Sequence, residues 1–101
     1  MIRHVVLWTL KEHGDGAGRA ENALRLKARL ESLPARIPQL RSLEAGVDVG
    51  ADARGWHVAL VATFDSKADL AAYQAHPEHQ RLVEWLGLVR EQRAVVDYRL
   101  P

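Results

Sequence analysis

Tyr73-Gln74-Ala75-His76-Pro77-Glu78-His79 places a phenol and two imidazoles within seven residues, divided by a proline. These side chains suit proton transfer: a neutral imidazole accepts a proton, and a phenol donates to an oxygen that is gaining negative charge. The proline sets their geometry. A residue before proline is pushed out of the α region, so His76 is expected to end one helix and cap the next, with Pro77 at its first position. His79 then falls in the first turn of the new helix. Backbone N–H groups and the positive end of the helix dipole disfavour imidazolium there, so His79 is expected to be neutral and basic. The competing reading is plain scaffolding, with His76 a cap, His79 half exposed and Tyr73 packed between helix and sheet.

The elements that must hold these rings follow from hydrophobic periodicity. Residues 2–10 carry Ile2, Val6, Trp8 and Leu10 on one alternating face and Val5 and Leu7 on the other, which predicts a strand covered on both sides. His13-Gly14-Asp15-Gly16 reads as a loop. Ala23, Leu26, Leu30, Leu33 and Ile37 recur at helical spacing, and Pro34 ends the α-helix near Leu33. Leu43, Ala45, Val47 and Val49 alternate with polar or small residues, the pattern of a half-buried edge strand. Residues 50–55 connect it to a third strand from Trp56 to Phe64, again with no clearly polar face. Ser66 and Asp69 form a capping-box-like start to a second helix that buries Leu70 and Tyr73. A short helix after Pro77 turns Leu82, Val83 and Leu86 inward and is expected to end at Gly87. Val95, Val96 and Tyr98 mark a last strand.

This order is βαββαβ with the second helix broken at Pro77, the split βαβ or ferredoxin-like arrangement of the α+β class. The first and third strands are expected side by side and parallel. His4 and His57 open those two strands, so both are expected at one end of the sheet. The end of the second helix, with Tyr73, His76 and His79, is expected to return there. Helices on one side leave the other faces of both strands bare, and a second copy of the same sheet is the economical cover.

Composition narrows the function classes. The chain is 101 residues long and 48% hydrophobic, which predicts one domain spanning residues 1–101 with one modest core. Net charge is +1, from 14 basic and 13 acidic residues, so neither nucleic acid nor an anionic membrane is an expected partner. Glu21 and Glu31 interrupt the mild basic cluster of Arg19, Arg25, Lys27 and Arg29, as on a solvated helix face. The absence of cysteine removes disulfides, thiolate nucleophiles and sulfur-ligated metals. No metal is expected, since no spacing fixes three or four ligands. No apolar run approaches the ~20 residues of a membrane span, and Lys11 and Glu12 close the first run too early for a signal peptide. A cytoplasmic location is the expectation.

Taken together, Ile2-Arg3-His4-Val5-Val6-Leu7, the Ile37-Pro38 turn, residues 57–64, Tyr73 to His79 and the closing Val96-Asp97-Tyr98 resemble the stress-responsive A/B barrel domain family, a branch of the dimeric α+β barrels. The resemblance spans nearly the whole chain. It implies a homodimer in which two sheets pack as a barrel. It also extends to a plant polyketide cyclase of that family, which closes a linear polyketide by aldol condensation without a cofactor. On that likeness Tyr73 and His79 would be catalytic, and His4 and His57 would bind the substrate, a small apolar or polyketide-like carbonyl compound. The apolar pocket lining of that cyclase is not visibly shared. Two other readings stand beside it: a stress-associated protein that uses the same cavity to bind a ligand without turning it over, and, by fold analogy alone, a cofactor-free monooxygenase of the related antibiotic-biosynthesis type.

Overall fold

A computed structural model describes residues 1–50 and 54–101. The 50–55 connection therefore falls partly outside the described residues. Strand β1 (Ile2–Leu10) alternates without a break: Ile2, His4, Val6, Trp8 and Leu10 are buried, and the residues between them are half-buried. The expected loop after it is a minimal ribbon, β2 (His13–Gly14) against β3 (Ala17–Gly18), turning through Asp15 and Gly16 at φ 49° and 75°. Buried Asn22 ties this ribbon to the first helix by donating to the Gly14 and Ala17 carbonyls at 2.9 and 3.3 Å.

Helix α1 (Arg19–Glu31) buries Ala23, Leu26 and Leu30 on one face, and a 3-10 turn at Leu33–Ala35 absorbs Pro34. Strand β4 (Ser42–Val47) lies at the sheet edge as expected but stops before Val49, which is fully exposed. Strand β5 (Val58–Phe64) leads to helix α2 (Lys67–Ala75), whose Ser66 cap accepts from the Asp69 N–H at 3.1 Å. Helix α3 (Pro77–Val89) continues two residues beyond Gly87. Leu82, Trp85, Leu86 and Val89 are its buried residues, whereas Val83 is 45% exposed and not inward as expected. Strand β6 (Arg90–Arg99) begins at once after α3, five residues earlier than Val95.

The sheet order is β4-β5-β1-β6, the ferredoxin-like arrangement, with helices on one face. The expected parallel pairing of the first and third strands is wrong: β1 pairs antiparallel with both β5 and β6. The reason is topological. Each βαβ crossover joins two parallel strands but leaves a slot between them, and the strand filling that slot runs the other way. His4 consequently lies opposite Ala62, and it is Trp8 that pairs with Val58, so His57 sits at the far end of β1 from His4.

On the sheet's other face, Val5 and Leu7 stand beside Val61 and Ala59 on one side and Val96 and Ala94 on the other. Val96 and Tyr98 are 56% and 42% exposed there. Among the described residues no helix is long and apolar enough to cross a membrane.

Candidate functional site

The helix break at Pro77 organises the site. Gln74 would normally receive the Glu78 N–H in a continuous helix, but His76 adopts an extended conformation (φ −65°, ψ 138°) and its Nδ1 takes that N–H at 3.1 Å. His76 is the expected cap. The freed Gln74 carbonyl accepts instead from His79 Nδ1 at 3.1 Å and Gln80 Nε2 at 2.8 Å. A carbonyl only accepts, so the His79 proton resides on Nδ1, and in the neutral ring Nε2 carries the free lone pair.

Three of the four expected residues meet. The Tyr73 and His79 ring centroids are 4.6 Å apart, and Tyr73 and His4 are 6.2 Å apart in an edge-on arrangement. Phe64 backs the group at 5.0 Å from Tyr73. They converge because β5 ends where β1 begins, so α2 starts beside His4, and the break at Pro77 keeps His79 near that end. His4 Nδ1 donates to Asp97, its direct neighbour on β6.

His57 is not brought in, contrary to expectation. Its Nδ1 accepts the Leu10 N–H at 2.8 Å and its backbone N–H donates to the Trp8 carbonyl at 2.9 Å. The β1–β6 register shifts between Thr9 and Leu10, and His57 takes up the Leu10 donor at that irregularity.

A cavity of about 240 Å³ lies between the sheet and α3, with His4, Tyr73 and His79 in its wall. Val6, Leu30, Leu60, Leu82 and Leu86 line its middle, and Trp8, Arg90 and Arg93 also contribute to its wall. Burial pushes the Tyr73 phenol up to about 12, with Arg93 pulling weakly the other way, so it is a donor at neutral pH. Its hydroxyl has no hydrogen-bond partner among the described residues. Burial also holds His79 below the ordinary histidine value; the Gln74 carbonyl opposes this, and His4 and Arg93 reinforce it. Together these rings supply a proton acceptor and a proton donor facing one space. Among the described residues no three His, Asp or Glu side chains are grouped to hold a metal ion.

Sequence reasoning missed Asp97, Arg90 and Arg93. Asp97 was findable, since a carboxylate in a closing strand next to a strand that opens with histidine is a natural partner. The arginines were hidden because β6 was expected to begin only at Val95.

The stress responsive A/B barrel domain model matches residues 2–100. A dimeric ferredoxin-like protein from Bacteroides fragilis is 33% identical, with a TM-score of 0.81 over 98% of this chain and 95% of its own. Another from Thermobifida fusca is 29% identical, with a TM-score of 0.82 over 98% and 90%. Both are described as of unknown function. More distant structures sharing the fold include a hydroxynitrile lyase from Passiflora edulis at 22% identity and TM-score 0.79, covering 99% of this chain and 93% of its own. No curated protein matches the sequence.

Proposed function

As the chain belongs to the stress responsive A/B barrel domain family, we propose that it is a homodimeric, cofactor-independent general acid–base catalyst of the polyketide-cyclase type, acting on a small carbonyl compound in the cavity beside His4. One observation carries this reading: a protonated Tyr73 hydroxyl with no hydrogen-bond partner among the described residues stands beside a His79 whose Nδ1 is bonded, leaving its Nε2 lone pair for a ligand. His79 Nε2 takes a proton from a methylene flanked by carbonyls, and the C–H electrons move onto a carbonyl oxygen. Tyr73 donates to that enolate oxygen. The enolate carbon then attacks a second carbonyl of the same chain, forming the new C–C bond, and the alkoxide takes the proton held on His79 Nε2, which restores the base. His4, held by Asp97, walls the site and limits how the ligand turns. His57, at the other end of the strand, has no part in these steps.

A hydroxynitrile lyase shares the fold at 22% identity, a likeness of scaffold that leaves the substrate open. The test is α-proton exchange of ethyl acetoacetate in deuterated water, followed by NMR, together with cyclisation of a linear poly-β-keto thioester. Tyr73→Phe and His79→Ala are expected to lower both rates by on the order of a hundredfold or more while the melting curve stays cooperative. Wild-type exchange no faster than buffer, with ligand binding that still depends on both rings, would replace catalysis by ligand carriage. Oxygen consumption with a phenolic substrate would replace it by monooxygenation.

A further inference from the structure

The cationic end of the cavity is not used by the proton transfers above. Arg25, Arg36, Arg41 and Arg81 are each paired with a carboxylate, Arg19 donates to the Leu10 carbonyl, and Arg29 stacks on Trp85. Arg90 and Arg93 line the cavity, and among the described residues their side chains have neither an ion pair nor a hydrogen bond. Among the described residues no Asp or Glu lines the cavity to neutralise them. Glu91, between the two arginines at the β1–β6 irregularity, groups with Thr9, His57 and Gln92 and not with the cavity wall, and Asp97 is already engaged by His4.

Strand register gives the separation of the two ends. His4 pairs with Asp97, Val6 with Val95 and Trp8 with Arg93, so Arg93 lies two same-face steps along the strand from the His4 end. At about 3.4 Å per residue this is roughly 13–14 Å of backbone, which the long arginine side chain shortens. The Arg93 charge is felt at both Tyr73 and His79. Trp8, across from Arg93, has a buried indole N–H with no partner among the described residues, a further donor left over at this end. Between the two ends the wall is aliphatic. A ligand matching this lining has a carbonyl at one end, a short apolar middle and an anionic oxygen group at the other.

We propose that the substrate class is a carbonyl compound bearing a terminal carboxylate, which Arg93 receives with Arg90 beside it while the carbonyl faces Tyr73 and His79. This rests on the acid–base reading of those rings. The carboxylate anchors the ligand and takes no part in bond making.

Succinylacetone, a β-diketone ending in a carboxylate, and its methyl ester are suitable probes. Calorimetric titration of the intact protein should find the acid bound about tenfold tighter than the ester, the scale of one charge-assisted hydrogen bond. Arg93→Gln should erase this preference with little change in ester affinity, Arg93→Lys should keep part of it, and Arg81→Gln, whose arginine pairs with Glu78 outside the cavity, should leave it intact. Equal affinities of acid and ester for the wild type would overturn the proposal, as would a preference that survives Arg93→Gln together with Arg90→Gln. Exchange of the methylene protons in the same samples separates the two readings. Ester exchange that needs Tyr73 and His79, without any carboxylate preference, removes the anchor and leaves the catalyst. A carboxylate preference without exchange does the reverse, and failure of both probes to bind removes both.

Discussion

His79 is defined by what surrounds each nitrogen. Its Nδ1 is committed to the Gln74 carbonyl, and burial lowers the affinity of Nε2 for a proton. An NMR titration is therefore expected to place His79 below about 6.5, the value of an unperturbed imidazole. Between the folded and unfolded pKa values the unfolded chain binds the extra proton, so the contribution of His79 to stability is full above about 6.5 and is lost as pH falls through the folded value. Replacing His79 with Gln should flatten the acid slope of stability in that window. Any base-catalysed exchange should lose rate as pH falls through and below the folded value. A His79 resonance titrating above the reference would contradict the assignment. Tyr73→Phe is the complementary change: because the hydroxyl has no partner among the described residues, its loss should leave stability nearly unaltered, by thermal melt, while removing the donor.

At the scale of elements, the α2–α3 break determines where the rings go. Pro77 has no N–H and His76 must leave the α region, so the Gln74 carbonyl is released for His79. His76 repairs the start of α3 by capping Glu78. Replacing His76 with Ala should cost about 1 kcal/mol in a denaturant titration, and His76→Asn should recover most of that, as expected for an N-cap. An unchanged midpoint in the alanine variant would show that the cap contributes nothing. The ribbon between β1 and α1 is fastened just as closely to α3. A Cβ on Gly14 would stand 2.5 Å from the Leu88 carbonyl, and Asp15 accepts from the Trp85 indole at 2.9 Å. This contact holds the far end of α3 over the cavity, so Gly14→Ala is expected to lower the melting temperature and loosen ligand binding together.

For the whole molecule, the open face of the sheet is the outstanding apolar surface. Val5, Leu7 and Val61 are half-buried and Val96 is exposed, on a face that none of the described helices covers. Relatives from Bacteroides fragilis and Thermobifida fusca that share this fold are dimers. Packing two such faces would remove apolar area worth about 25 cal/mol per Å² from water. Sedimentation of this protein at micromolar concentration is accordingly expected to give a dimer, and Val96→Asp should give a monomer of lower stability. A well-folded wild-type monomer at that concentration would refute the pairing. The cavity opens on the helix side of the sheet, so a monomeric variant that remains folded should retain the carboxylate preference of the wild type.

Local chemistry was enough to read the break at Pro77, the His76 and Ser66 caps, the face of α1 and the alternation of β1, because each depends on residues close in sequence or on a repeated period. The same nearness made Tyr73 and His79 legible as neighbours in one cavity wall. What lay beyond sequence was decided by strand pairing. Whether His57 joins His4 turns on strand direction, and hydrophobic alternation is identical for parallel and antiparallel neighbours. The antiparallel pairing of β1 with β5 separates the two histidines and leaves His57 as an acceptor for the Leu10 N–H. Arg93 belongs to the site for a similar reason. Its position opposite Trp8 is set by a register running between residues 85 apart in the chain, a relation that tertiary packing alone creates.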